Sequence, residues 1–186
     1  MPIKEILKEA REKMQKTEQV LLHEFAGIRT GKASPTLVEN VMAEVYGSQM
    51  RIRELAAITT PEPRILVITP WDASTVHAIE KAIQKANLGL NPSVDGKIIR
   101  IVFPELSTER REEFKKVARK MAEEARVAVR HVRRDAIERL KKEAKAGGVG
   151  EDEEKHAEKE VQKLTDDFIK KIDEHLAHKE EEIMTV

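Results

Sequence analysis

Cysteine is absent from this 186-residue chain. That excludes disulfides and thiolate metal sites and makes a reducing compartment the natural setting. Aromatic residues are scarce at 3%: one Trp, one Tyr and four Phe. Together with 37% charged residues, this suits long helices with thin apolar seams better than a thick globular core. No apolar run approaches the roughly 20 residues of a membrane span. The segment from Met1 to Ala10 is amphipathic and carries acidic as well as basic residues, unlike a secretory signal or a transit peptide. A soluble cytoplasmic protein with no membrane partner is expected. An excess of one charge sign is lacking too, since 34 Lys and Arg meet 34 Asp and Glu. The balance is a cancellation between a basic middle and an acidic stretch from Glu151 to Glu182. A nucleic-acid partner is compatible with neutrality when the basic residues gather on one face.

What is present is helical at both ends. Ile3, Leu7, Ala10, Met14, Thr17, Leu21, Phe25 and Ile28 recur in steps of three and four, the pattern of a seam buried by partner helices. Pro2 fits the first helical position. Thr30-Gly31-Lys32-Ala33-Ser34-Pro35 then breaks the pattern. From Pro35 to Pro104 the grammar changes. Val41–Tyr46 and Arg64–Thr69 read as β-branched strands. Gly47-Ser48 turns the chain into Gln49–Ile52, and Ile58–Thr60 is a further short strand. Asp72 or Ser74 can cap a helix running to about Asn87 with Val76, Ile79, Ala82 and Ile83 on its buried stripe. Asn91–Val94 and Lys97–Phe103 form a hairpin across Asp95-Gly96. After Pro104, Ser107 can cap a helix running to about Lys145, which Gly147-Gly148 and Gly150 stop. Ala157, Val161, Leu164, Phe168, Ile172 and Leu176 form the seam of a last helix.

No such helix buries its stripe alone, and three can bury all of them together. The fold class expected is α+β: an elongated three-helix bundle (1–30 and 105–186) with an inserted small β/α/β sandwich domain (31–104), bent into a two-domain L shape. The two connections, with Thr30, Gly31, Pro35, Phe103 and Pro104, form a candidate hinge.

The middle helix carries the most informative pattern. Arg119, Arg126, Arg130, Arg133 and Arg134 fall on one face at the α-helical period. Phe114, Ala118, Met121, Ala125, Ala128 and Val132 fall nearly opposite, as the expected packing seam. Between Arg126 and Lys142 basic residues far outnumber Asp135 and Glu138. A face serving only solubility would mix signs one turn apart. Arginine's planar fork of donors suits phosphate oxygens.

Catalytic chemistry is not in view. His175 and His178 stand one turn apart with no third ligand suggested by spacing, and His131 reads as a polar flank. Gly147-Gly148-Val149-Gly150 lacks the Lys and Ser/Thr of a phosphate loop. Trp71 is expected to pack at the mouth of the small module rather than serve surface recognition. No nucleophile, metal cluster or cofactor motif emerges, so no metal and no cofactor are expected. The chain is expected to be a monomer and not an enzyme.

Several motifs agree in order along the whole chain: Ile28–Pro35, Ala82-Ile83 through Leu88-Gly89-Leu90-Asn91-Pro92, Leu106 to Arg110-Arg111, Ala125 to Arg134-Asp135, and Val161-Gln162-Lys163-Leu164-Thr165. In these the chain resembles the bacterial ribosome recycling factor family. The departures are small, such as Lys32 where that family often has Arg. The resemblance implies a three-helix bundle with an inserted domain. It implies binding to the post-termination ribosome, with contacts to large-subunit ribosomal RNA through Arg29, Arg126, Arg130, Arg133 and Arg134. It also implies splitting of the ribosome into subunits and release from messenger RNA together with elongation factor G and GTP. The alternatives from the residues themselves are a coiled-coil or chaperone-like protein whose basic face is merely solvated, and an enzyme housed in the small module.

Overall fold

The structure is a computed structural model that describes residues 2–185. The chain divides into two compact units. One comprises Met1–Ile28 and Glu113–Glu181, the other Arg29–Glu112 and Glu182–Val186. Among the described residues no helix is long and apolar enough to cross a membrane.

The first unit is built on three long helices: α1 (Pro2–Ala26), most of α5 (Thr108–Lys145) and α6 (Glu151–Met184). α5 has 38 residues, about 57 Å at 1.5 Å per residue. The Ser107 hydroxyl accepts from the Arg110 N–H at 3.2 Å and caps its start. Its end is a glycine stop, with Gly147 at φ 80. α6 opens on Glu151, Asp152, Glu153 and Glu154, which complement the positive end of the helix dipole.

The α1 seam is as expected at Ala10, Met14, Leu21, Phe25 and Ile28, but Ile6 is buried while Ile3, Leu7 and Thr17 lie half-buried at its edge. On α6 the buried line is Ala157, Val161, Leu164, Phe168 and Ile172, with Leu176 half-buried. Thr165 is buried too, its hydroxyl donating to the Val161 carbonyl at 2.8 Å.

The middle helix corrects the sequence reading. Its buried line is Ala118, Ala122, Ala125, Val129, Ala136 and Leu140. Phe114, Met121, Ala128 and Val132 are only half-buried. At 100° per residue the buried face is turned by roughly 50° toward the arginines. Four of the six innermost side chains are alanines, so the buried line is marked by small residues and not by the largest apolar ones. The larger side chains move to the rim. Met121, Ala128 and Val132 there line an open groove of about 440 Å³ with Lys13, Thr17 and Val20 of α1.

The second unit centres on a four-stranded antiparallel sheet in the order β3-β4-β6-β5, with β3 Ala56–Glu62, β4 Ile65–Pro70, β5 Pro92–Asp95 and β6 Ile98–Val102. A separate hairpin pairs β1 (Met42–Val45) with β2 (Ser48–Arg51). α4 (Val76–Lys85) buries Val76, Ile79 and Ile83. These meet Leu66, Ile68, Ile99, Ile101 and Phe103 from the sheet in one apolar core. Sequence reading missed two single-turn helices, α2 (Thr36–Glu39) and α3 (Ile52–Leu55). Both are too short to display a period, and both bury anchors, Val38, Ile52 and Leu55. The turns also sit one residue from where they were read. Val45 pairs with Ser48 across Tyr46-Gly47, and Asp95 pairs with Ile98 across Gly96-Lys97.

Two substitutions test this packing. Phe168→Ala should destabilise the chain by roughly 2–5 kcal/mol, the usual cost of truncating a large core side chain. Ala122→Leu should destabilise it by roughly 1–3 kcal/mol through overpacking, although it increases apolarity. Urea denaturation checks both; an unchanged midpoint for Ala122→Leu would restore the unrotated seam.

Candidate nucleic-acid interface

The turn of the α5 seam decides what its arginines can do. They do not form one free face. Arg126 and Arg133 flank the buried line and reach across to α6. The Arg126 side chain is only 19% exposed and meets Asp173 Oδ1 at 2.7 Å through Nη2 and Glu123 Oε2 at 3.0 Å through Nη1. Arg119 Nε donates to Glu180 Oε1 at 2.9 Å. Arg133 Nη1 donates to Gln162 Oε1 at 3.0 Å, and Gln162 Nε2 donates in turn to Asp166 Oδ1 at 2.9 Å.

These contacts form a ladder between antiparallel helices. Each step of seven up α5, from Arg119 to Arg126 to Arg133, matches a step of seven down α6, from Glu180 to Asp173 to Asp166. A seven-residue step returns each chain to the same side of a packed helix pair. At the third rung Gln162 stands between the arginine and the acid. The acids at seven-residue spacing in α6 were the available sequence signal for these partners, and Gln162, Asp166, Asp173 and Glu180 were not singled out from it.

The rungs differ in how far they commit each arginine. Burial works against the Arg126 charge, but the bonds to Asp173 and Glu123 outweigh it and leave its pKa raised. The same contact with Arg126 holds the Glu123 carboxyl below its usual range. Arg126 is therefore a clamp between helices. Arg130 is more available: its side chain is 42% exposed and its ion pair to Glu123 Oε1 is long, at 3.4 Å. Arg134 is exposed. Arg133 is intermediate, because its Nε is buried with no hydrogen-bond partner among the described residues.

Arg29, in the second unit, is the least satisfied of the expected site residues. Its Nε and Nη2 are both buried without a partner among the described residues. Its Cζ stands 6.0 Å from the centroid of the Phe103 ring, near the limit of a cation–π contact. Desolvation by burial, with the Arg110 charge second, lowers its pKa. Arg111 Nε is likewise buried without a partner; sequence reasoning did not place Arg110 or Arg111 in the site. A Cβ at Gly89, where φ is 71, would stand 3.8 Å from Arg29 Nη1. Buried donors left unmade are costly.

The residues expected to form a hinge have unlike surroundings. Thr30 Oγ1 accepts from the Lys32 N–H at 3.3 Å. The Pro35 carbonyl accepts from Val38 and Glu39 at 3.0 Å and starts α2. Phe103 is fully buried in the core of the second unit, its N–H donating to the Arg64 carbonyl at 2.7 Å and its carbonyl accepting from Arg64 Nε at 3.1 Å. Phe103 is thus an anchor, and Pro104, exposed after β6, is the first residue free of the sheet. Trp71 also departs from expectation, standing 70% exposed instead of packing at the mouth of the module.

Comparison with known proteins agrees with this arrangement. The family model for ribosome recycling factor matches residues 21–184. A ribosome-recycling factor of Carboxydothermus hydrogenoformans is 54% identical over 184 residues, covering 99% of this chain and 100% of that protein. One of Symbiobacterium thermophilum is 50% identical over 183 residues, 98% and 99% of the two. A solution structure of the ribosome recycling factor matches with a TM-score of 0.80 at 44% identity, over 100% of this chain and 99% of that one. The T. thermophilus factor, represented with E. coli elongation factor G bound to the E. coli post-termination complex, matches at 0.69 and 46% identity over the whole of both chains. With a family model matching residues 21–184 and relatives about half identical over nearly the whole chain, the chain belongs to the ribosome recycling factor family.

Proposed function

We propose that this chain is a translation factor that binds the ribosome left on messenger RNA after termination. With elongation factor G and GTP it splits that ribosome into subunits. It acts in the cytoplasm and performs no covalent chemistry of its own. The observation that supports the RNA contact is that Arg130 and Arg134 keep exposed side chains on α5, while Arg29 and Arg133 carry guanidinium donors with no acceptor among the described residues. Phosphate oxygens of structured RNA supply such acceptors, and RNA helices are read largely through backbone and shape.

In this reading Arg130, Arg133 and Arg134 grip ribosomal RNA from α5, and Arg29 adds a contact from the second unit. Arg126, tied to Asp173 and Glu123, stiffens the rod and joins the RNA only by exchanging an acid for a phosphate. Thr30, Gly31, Pro35 and Pro104 serve as the hinge through which the work of the GTPase is passed on, with Phe103 as its fixed end.

Splitting of ribosomes measured with and without elongation factor G and GTP tests the whole proposal; no splitting with both present would overturn it. Arg130→Ala and Arg133→Ala should each weaken large-subunit binding by about 1.5–3 kcal/mol, the range for charge-assisted hydrogen bonds. Each should also reduce the slope of log affinity against log salt by about one. Thermal melts should stay close to wild type. Arg126→Ala should instead lower the melting temperature, because it strands Asp173. Equal ribosome affinity for Arg133→Ala and wild type across salt concentrations would remove α5 from the interface.

A further inference from the structure

The only Trp and the only Tyr of this chain are both on its surface. Trp71 is 70% exposed and Tyr46 71% exposed. Aromatic side chains carry large burial free energies, and a chain with so few of them would be expected to spend them on its cores. Both belong to the second unit, Tyr46 bonded to Asp72 and Trp71 next to it in the chain. The Tyr46 hydroxyl donates to Asp72 Oδ2. Trp71 precedes Asp72 in the chain, with its backbone N–H bonded to the Leu55 carbonyl at 2.9 Å.

The backbone at Tyr46 is unusual. Its φ is 54, followed by Gly47 at 76. This is the two-residue turn between β1 and β2, whose first position favours Asn, Asp or Gly. A bulky side chain in the left-handed region is a strained choice, and such strain gathers where function requires a side chain in one place. Here it sets the ring at the tip of a hairpin and aims its hydroxyl at Asp72.

Asp72 is itself firmly held. Its Oδ1 accepts from the Ser74 N–H at 2.9 Å and from the Ser74 hydroxyl at 2.8 Å. A carboxylate offers about four lone-pair sites, so three are taken and about one is left. The Tyr46 bond, then those from Ser74, keep the carboxyl below its usual range, so the group is anionic. No other Asp, Glu, Lys or Arg occurs from Ile65 to Ile79.

We propose that Tyr46, Trp71 and Asp72 form a docking point for an arginine side chain on the surface of a partner protein. A guanidinium is planar, stacks on aromatic faces and donates along its edge. The site offers two exposed aromatic rings and one anionic acceptor with room for one more donor. An ammonium group has no plane to stack and is more strongly hydrated. Single-stranded RNA also stacks on aromatics, but it does so in grooves that are positively charged. Here the Asp72 carboxylate would meet each phosphate with repulsion. The site shares no residue with the RNA contact proposed above.

The single tryptophan makes its fluorescence a reporter of this site alone. The full chain is titrated with a capped hexa-arginine peptide, a hexa-lysine peptide and an oligouridylate. Hexa-arginine should change Trp71 emission saturably, at least tenfold more tightly than hexa-lysine and more tightly than the RNA. Asp72→Asn should weaken the arginine peptide at least fivefold, and Tyr46→Phe, which releases the carboxylate, should weaken it less. Tighter binding of the oligouridylate would make this a base-stacking site and overturn the proposal. So would equal response to the two peptides, or indifference to Asp72→Asn in a variant whose melting temperature is unchanged. A second arm rests on the proposed function: Trp71→p-benzoylphenylalanine is photolysed in complexes of the full chain with post-termination ribosomes, elongation factor G and a non-hydrolysable GTP analogue. Cross-links to a protein, at a segment containing arginine, are expected; cross-links to RNA, or to nothing while the chain remains bound, overturn the docking point. Failure of the chain to bind ribosomes at all would overturn the proposed function instead, and the peptide titration would still decide this one.

Discussion

The rotation of α5 about its own axis is the constraint from which the rest of the helical unit follows. Ala118, Ala122, Ala125 and Ala136, with Val129 and Leu140, occupy its innermost line. Once the helix turns this line inward, the positions of every other side chain around it are fixed by the helical period. Met121 and Val132 move to the rim of a groove facing α1. Arg126 and Arg133 arrive at the edge facing α6.

The charged ladder that results has two kinds of rung. At Arg126 the acid is direct, the guanidinium is mostly buried, and the contact is structural. At Arg133 a neutral amide stands in the acid's place, and one donor remains buried and unmade. An amide satisfies a hydrogen bond without neutralising the cation, so the positive charge stays available to an outside anion. Arg29 reaches the same condition differently, with an aromatic ring and a neighbouring arginine around it and no acid.

The second unit solves a different problem. Its core is built from β-branched and aliphatic residues with a single aromatic, Phe103, at its centre. That core is sufficient without Tyr46 and Trp71. Both are exposed, and the strained turn at Tyr46 is held by its bond to Asp72 and by the strand pairing on both sides.

Much of this architecture was legible in the sequence. Helix ends followed from Ser107, Gly147 and the acidic start at Glu151, because caps and breakers act through the local backbone. The α1 and α6 seams followed from three-four periodicity, and the strands from β-branched runs. The arginine positions, and through them the family resemblance, were also there to be read. What periodicity could not give was the rotation of α5. Alanine is weakly hydrophobic, so a pattern read by apolarity gravitates to Phe114, Met121 and Val132, whereas the line that the other helices cover is rich in alanine. For the same reason the free and committed arginines could not be told apart, since their partners lie on another helix far along the chain. The exposure of Trp71 was hidden as well. Burial of an aromatic is decided by whether the fold has a cavity to receive it, and only the assembled sheet, already filled by Phe103 and its neighbours, shows that it has none.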